Sequence, residues 1–181
     1  MIPGDSGSGD RPATAHAGTV SVRVAGAADA VGVVALTEHA YRVDGYLDLD
    51  GGDRYAGELL DADTRIRDAV VLVAQAGDEL IGTVTLATFE TPFAEISRPG
   101  EMEVRMLAVA PEARRRGVAV ELMDATLDLA RSDGLTRIVL STEVSRHAVH
   151  RFYERLGYTR LPERDWKVDG FALIAYGYDV D

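Results

Sequence analysis

The chain predicts one α/β domain of mixed topology, α+β in character, with a central sheet of about six to seven strands flanked by about four helices. Three observations carry this. From residue 102 onward the pattern runs strand, helix, strand, helix, strand. Ahead of it, two β-rich runs at 70–75 and 80–89 are separated by a Gly-containing turn, which predicts an antiparallel hairpin. The residues at 117–132 repeat their apolar positions at helical spacing and stop at Asp133-Gly134, a natural helix terminus.

Residues 1–18 hold Gly, Pro, Ser and Asp and no Phe, Tyr or Trp, too little apolar surface to offset the entropy of ordering, so they are expected to form a disordered tail preceding a domain over 19–181. Val20, Val22 and Val24 alternate with other residues as in a half-buried strand. A helix is expected at 28–42, with Val31, Val34, Ala35 and Leu36 as its inward residues and Asp29 near its start. Residues 44–67 are polar and predict only a short helix at 56–60. After the Pro-containing loop 91–100 comes a strand at 102–109, and Pro111 forces a turn, since proline lacks the N–H that a central strand needs. The inward face of the helix at 117–132 is predicted as Val118, Leu122, Ala125 and Leu129. A strand at 137–141, a helix at 147–156 stopped by Gly157, and a strand at 171–178 complete the order.

Composition narrows the function classes. The net charge of -11 lacks the basic footprint of a nucleic-acid binder, so no nucleic-acid partner is expected. The longest unbroken apolar run, at 69–74, falls far short of the roughly 20 residues that span a bilayer. Without a signal-like stretch or any cysteine, the expectation is a cytoplasmic protein with no membrane association. The acidic run from Asp44 to Asp63 has two readings, attraction of a cationic amine or a solvated loop.

The segment that carries chemistry joins the strand at 102–109 to the helix at 117–132. Arg114, Arg115 and Arg116 crowd a helix amino terminus, where unpaired N–H groups already supply about half a positive charge. A bound phosphate would relieve that conflict. Gly117 allows close approach of the main chain and Ala119 leaves room for phosphate oxygens, with Val118 between them. An exposed basic turn is the alternative reading of the same residues.

Arg114, Gly117 and Ala119 fit the pattern Arg or Gln, two residues, Gly, one residue, Gly or Ala, and in this the chain resembles the GNAT acetyltransferase superfamily. A second segment, Ser145 through Tyr158 with Ala148, Phe152-Tyr153-Glu154 and Gly157, is similar to that family's closing motif, with Ser145 in place of the usual Asn. Arg115 departs from the pattern at a position where the family often has Gly. The resemblance covers about residues 20–178 and implies a GNAT-like fold with a mixed, mostly antiparallel twisted sheet. It implies acetyl-CoA as donor, with Leu107, Ala108 and Val109 along the pantetheine arm, the turn from Arg114 to Ala119 on the pyrophosphate, and Ser145 near the cofactor.

The resemblance also implies N-acetyl transfer to a small-molecule or peptide amine, by direct attack within a ternary complex, and a homodimer as a frequent arrangement. Amine attack needs a neutral nucleophile and a proton for the departing thiolate. Tyr153 occupies the family's general-acid position, and Glu103 is the candidate base, with ordered water as its rival. Strand alternation places Glu103 on one face with Arg105, Leu107 and Val109. The Val109 N–H would meet the oxyanion. His147 and His150, three apart rather than four, read as exposed helix residues, and no metal is expected. Tyr46, Tyr55, Phe89 and Trp166 are candidates for the acceptor pocket. Two other classes remain, a non-catalytic acyl-CoA-binding sensor module and an unrelated phosphate-ligand domain.

Overall fold

The computed structural model describes residues 19–47 and 52–181. The expected tail at 1–18, Asp48 and Asp50 lie outside them, as do the side chains of Asp53 and Tyr55. In chain order the elements are β1 (Val20–Val24), α1 (Ala30–Val43), α2 (Gly52–Leu60), α3 (Ala62–Asp68), β2 (Val70–Ala76), β3 (Glu79–Thr88), β4 (Glu101–Val109), α4 (Val118–Ser132), β5 (Arg137–Glu143), α5 (His147–Arg155), β6 (Thr159–Arg160), β7 (Trp166–Val168) and β8 (Phe171–Asp179). They form an 8-stranded sheet in the order β1-β2-β3-β4-β5-β8-β6, with β7 also on β8. Every pairing is antiparallel except β4 with β5. The predicted mixed α/β class with a mostly antiparallel sheet is therefore found, with two short strands and one helix beyond those read from the sequence.

Those extra elements have identifiable causes. β6 and β7 span 2 and 3 residues, too short for any periodicity, and exist because β8 offers them an edge. α3 begins where the Asp61 carboxylate accepts from the Thr64 N–H at 3.0 Å, an N-cap that ends the polar stretch earlier than expected. In α1 the expected inward face is rotated. Val33, Leu36, Thr37, Ala40 and Tyr41 are buried, whereas Val31 is 82% exposed and Ala35 also faces out. A stripe through 33, 36, 37, 40 and 41 brings Tyr41 inside, and a stripe through Val31 would not.

Helices cover both faces of the sheet. α1 packs on β3 and β4 with α2 and α3 beside it, and α4 packs across β2, β3 and β4 on the opposite face. The close seat of α4 explains Gly82 in β3, because a Cβ there would come within 2.7 Å of Val118 Cγ1 and 3.0 Å of Leu122 Cδ1. Val118, Leu122, Met123, Thr126 and Ala130 are the buried stripe of α4, so the predicted Val118 and Leu122 are central while Ala125 and Leu129 flank them. No helix among the described residues is long and apolar enough to cross a membrane.

Candidate active site between two parted strands

The site originates in an irregularity of β4. Thr85 of β3 pairs with Arg105 and Thr83 with Ala108, so β4 carries one more residue than its partner across this stretch. Met106 absorbs the excess with φ of 53°. Such a bulge interrupts the alternation of side chains. Before it, Met102 and Val104 face the α4 side; after it, Leu107 and Val109 do, while Met106 and Ala108 join Ala40, Tyr41 and Leu59 under α1. The expected common face of Glu103, Leu107 and Val109 is thus not found, because an inserted residue exchanges the faces.

The same irregularity coincides with a parting of strands. β4 pairs with β5 only from Glu101 to Val104, against Arg137 to Leu140. Beyond Val104, β4 stays with β3 through Val109, whereas β5 stays with β8 through Glu143. The end of β4 therefore has no β5 ladder partner. A cavity of about 560 Å³ opens there, between Leu107, Ala108 and Val109 on one wall and Ser141, Thr142 and Glu143 on the other.

At one end of this cleft lies the turn into α4. Gly117 is its N-cap with φ of 85°, a left-handed conformation that glycine adopts without strain, and no side chain caps the helix. The Val120 and Glu121 N–H groups bond to the Gly117 carbonyl. Among the described residues, the N–H groups of Arg115, Arg116, Gly117, Val118 and Ala119 have no acceptor. Arg115 also takes a positive φ of 61°, and left-handed residues within such a turn are the backbone pattern of anion-binding nests. The residues present fit a diphosphate.

The predicted contacts divide under this geometry. Arg114 and Ala119 line the cavity, but the Arg114 guanidinium is held by Asp44 through hydrogen bonds of 2.8 and 3.0 Å. Arg115 and Arg116 are exposed at the rim, and the Val118 side chain is buried in the core, leaving only its amide for a ligand. Ser145 is turned away from the cavity, its hydroxyl bonded to the Glu143 carboxylate. The neighbouring Arg146 lines the cavity instead, with its guanidinium 3.9 Å from the Tyr46 ring centre and Nη1 donating to the Asp44 carbonyl at 2.9 Å. Sequence reasoning passed over Arg146, which has no place in the motif and reaches the cavity only through the turn before α5.

Tyr153 lines the cavity from α5, with 5% exposure. Its ring packs near Tyr158 and Tyr176, at centre distances of 5.6 and 6.4 Å. Burial, followed by the neighbouring Tyr153 and Tyr178, pushes the Tyr158 hydroxyl far above its ordinary value, so this neighbour stays protonated. Glu103 does not line the cavity. Its side chain is fully buried and one carboxylate oxygen accepts the N–H groups of Glu95, Ile96 and Ser97 at 2.8, 2.8 and 3.0 Å. The base expected at Glu103 is therefore an anchor for the 91–100 loop. His150 is buried rather than exposed, with Nε2 3.1 Å from the Glu143 carbonyl. No group of three or more His, Cys, Asp or Glu that could hold a metal is found among the described residues. Of the aromatic candidates, Tyr46 and Trp166 line the cavity, Phe89 lies at the surface, and Tyr55 falls outside the described side chains.

Several known proteins are similar to this chain in sequence or fold. N-alpha-acetyltransferase 30 of Schizosaccharomyces pombe is 46% identical over 78 residues, which cover 40% of this chain and 51% of that protein. N-acetyltransferase 8B of Rattus norvegicus is 28% identical over 111 residues, 59% of this chain and 48% of that protein. The chain spans about half the length of these curated relatives. Among solved structures, a GNAT-family acetyltransferase from Desulfovibrio desulfuricans superposes with a TM-score of 0.71 at 21% identity, covering 90% of this chain and all of that one. The PaiA N-acetyltransferase of Thermoplasma acidophilum, in complex with coenzyme A, gives 0.68 at 14% identity over 88% of this chain and 99% of that one. These two likenesses establish a shared fold. The model of the acetyltransferase (GNAT) family matches residues 34–158, well over half of the sequence, and the chain belongs to that family.

Proposed function

We propose that this protein is an acetyl-CoA-dependent N-acetyltransferase that acylates a primary amine by direct attack within a ternary complex. The observation that carries the reading is the parting of β4 from β5, which opens unladdered main chain along a cleft ending at the amides of residues 115–119, free of acceptors among the described residues. A pantetheine arm is a secondary-amide chain and a pyrophosphate is a dianion, and the two halves of the cleft suit them in that order. Acetyl-CoA and coenzyme A are named with two of the structural relatives, and both share this fold.

Within the cleft each group has one task. The amine nitrogen bonds to the thioester carbonyl carbon and the carbon–sulfur bond breaks. The Val109 N–H faces the developing oxyanion, and the Tyr153 hydroxyl gives its proton to the leaving thiolate. The chain contains no cysteine to carry an acetyl intermediate, which fits direct transfer. Among amines, the α-amino group of a peptide is the acceptor class we favour. The similarity to N-alpha-acetyltransferase 30 supports it, and an α-amine with a pKa of about 8 loses its proton more readily than a lysine at about 10.4.

The cheapest test is thermal. Acetyl-CoA at about 100 times its dissociation constant should add about 2.7 kcal/mol of stability. Thiol release with a panel of peptides and small amines then separates an enzyme from a non-catalytic sensor, for which Tyr153 in the cavity wall would have no task. No thermal shift and no thiol release would sink the proposal.

A further inference from the structure

Glu103 loses its expected role, yet the structure surrounds it with an arrangement that needs an account. Its carboxylate is fully buried and one oxygen accepts three consecutive main-chain N–H groups, from Glu95, Ile96 and Ser97. Two residues earlier on the same strand, Glu101 accepts the Arg98 N–H at 2.9 Å and pairs with the buried Arg164 at 2.6 and 2.9 Å. Arg105 donates to the Phe93 carbonyl at 2.9 Å. Three charged side chains of β4 therefore pin a loop that a connecting segment would not require to be pinned.

What the pinning delivers is one side chain. Glu95 lines the same cavity as Tyr153, about a third exposed (35%), with its carboxylate 3.6 Å from Arg105 Nη1. The same guanidinium lies 3.8 Å from the second Glu103 oxygen, which has no hydrogen-bond partner among the described residues. One arginine thus stands between a buried carboxylate that fixes the loop and a solvated one that faces the cleft. The donor path occupies the parted strands and the turn at 115–119, so an acceptor has to enter from another side. Arg105 precedes the donor stretch of β4, Leu107 to Val109, and Glu95 reaches the cavity beside it.

Resting on the N-acetyltransferase reading, we infer that Glu95 is the carboxylate that receives the acceptor ammonium and takes its proton, and that Glu103 is a positioning residue acting through the Glu95 main chain. The protons balance. Glu95 takes one from the ammonium and passes it to solvent. The nitrogen sheds a second on becoming an amide, which replaces the proton that Tyr153 gives to sulfur.

The experiment is steady-state kinetics with acetyl-CoA and a pool of peptides bearing free α-amines. Glu95→Gln should raise the peptide KM about tenfold or more, the loss of a charge-assisted bond, and leave the acetyl-CoA KM unchanged. Glu95→Asp, which keeps the charge one methylene shorter, should fall between that variant and the parent. Glu103→Gln should raise the same KM and, combined with Glu95→Gln, add little to it, whereas an independent structural defect would add in full. Amide exchange at residues 95–97 should quicken in Glu103→Gln. A parent enzyme that turns over while Glu95→Gln matches it in both kcat and peptide KM overturns the inference alone. A collapse of kcat in Glu103→Gln with Glu95→Gln silent would return the amine to Glu103. A parent without thiol release overturns the functional reading and this inference together.

Discussion

The two ends of the cleft are built from different materials. The end proposed for the donor is built of main chain: a bulge at Met106, a glycine at 117 with φ of 85°, and amides that have no acceptor among the described residues. The end proposed for the acceptor is held by buried side chains, with Glu101, Glu103, Arg105 and Arg164 gripping the loop 91–100. A backbone site depends on φ and ψ and tolerates many side chains. A side-chain site tolerates backbone variation and depends on particular charges. Damage should therefore propagate differently from the two ends, and substitutions distinguish them.

The largest effect is expected where the ends meet. Tyr153→Phe keeps the ring contacts with Tyr158 and Tyr176 and removes only the hydroxyl. It should lower kcat by about 10² to 10⁴ with acetyl-CoA affinity held, as stopped-flow thiol release combined with calorimetry would measure. An unchanged kcat would remove Tyr153 from the chemistry.

Next in size is the acceptor-end anchor. Glu101→Gln removes the buried carboxylate that Arg164 hydrogen-bonds, leaving only the exposed Glu163 at 4.0 Å, and should cost about 3–5 kcal/mol in urea unfolding. The same pair predicts acid sensitivity. Burial by itself would raise the Glu101 pKa, but the Arg164 hydrogen bonds, the Arg98 N–H and the Arg164 and Arg137 charges outweigh it, and the net shift is downward. A group depressed in the folded state contributes fully above its unfolded value near 4.5 and loses that contribution as pH falls through its lower folded value. Asp29, held at about 2 first by Arg23 and then by the Gly26 N–H, acts in the same direction from about 3.8 downward. Melting temperature should fall between pH 5 and pH 2 in the parent, and less steeply in Glu101→Gln.

The donor end should respond through conformation. At Gly117 an added Cβ meets nothing within 4 Å, so Gly117→Val fails by its backbone preference and not by collision. A β-branched residue in the left-handed region costs about 1–3 kcal/mol, and escape from that region disperses the amides. Acetyl-CoA affinity should drop by about tenfold to a hundredfold, and the melting temperature without ligand should fall by roughly 2–12 °C, the shift that about 1–3 kcal/mol gives in a domain of this size. The smallest effect has the opposite sign. Arg115 takes a φ of 61°, so Arg115→Gly should relieve strain and raise stability by up to about 1 kcal/mol in thermal unfolding without weakening the nest.

Much of this arrangement was legible in advance. The turn Arg114 to Ala119 stood out because a cationic cluster at a helix start conflicts with the helix dipole, and that conflict is local. Tyr153 was legible from its motif, and it does reach the cavity. Glu103 was misread because strand alternation holds only in a regular ladder, and the extra β4 residue depends on β3, a strand distant in sequence. That Ser145 does not line the cavity was not legible, because the turn before α5, with Glu143 accepting from both the Ser145 N–H and hydroxyl, has no spacing signature. Glu95 gave no signal at all. A glutamate in an irregular loop acquires a role only when something fixes the loop.

Periodicity, turn chemistry and local charge determined the class of fold, the long helix α4 and the turn proposed to hold the donor's phosphates, because each arises between residues within a few positions of one another. The tertiary structure alone decided where β4 leaves β5, which side of the bulge each residue faces, and that a buried carboxylate grips main chain. These outcomes depend on pairing between segments far apart in the chain, where a strand's partner sets its geometry and its own residues do not.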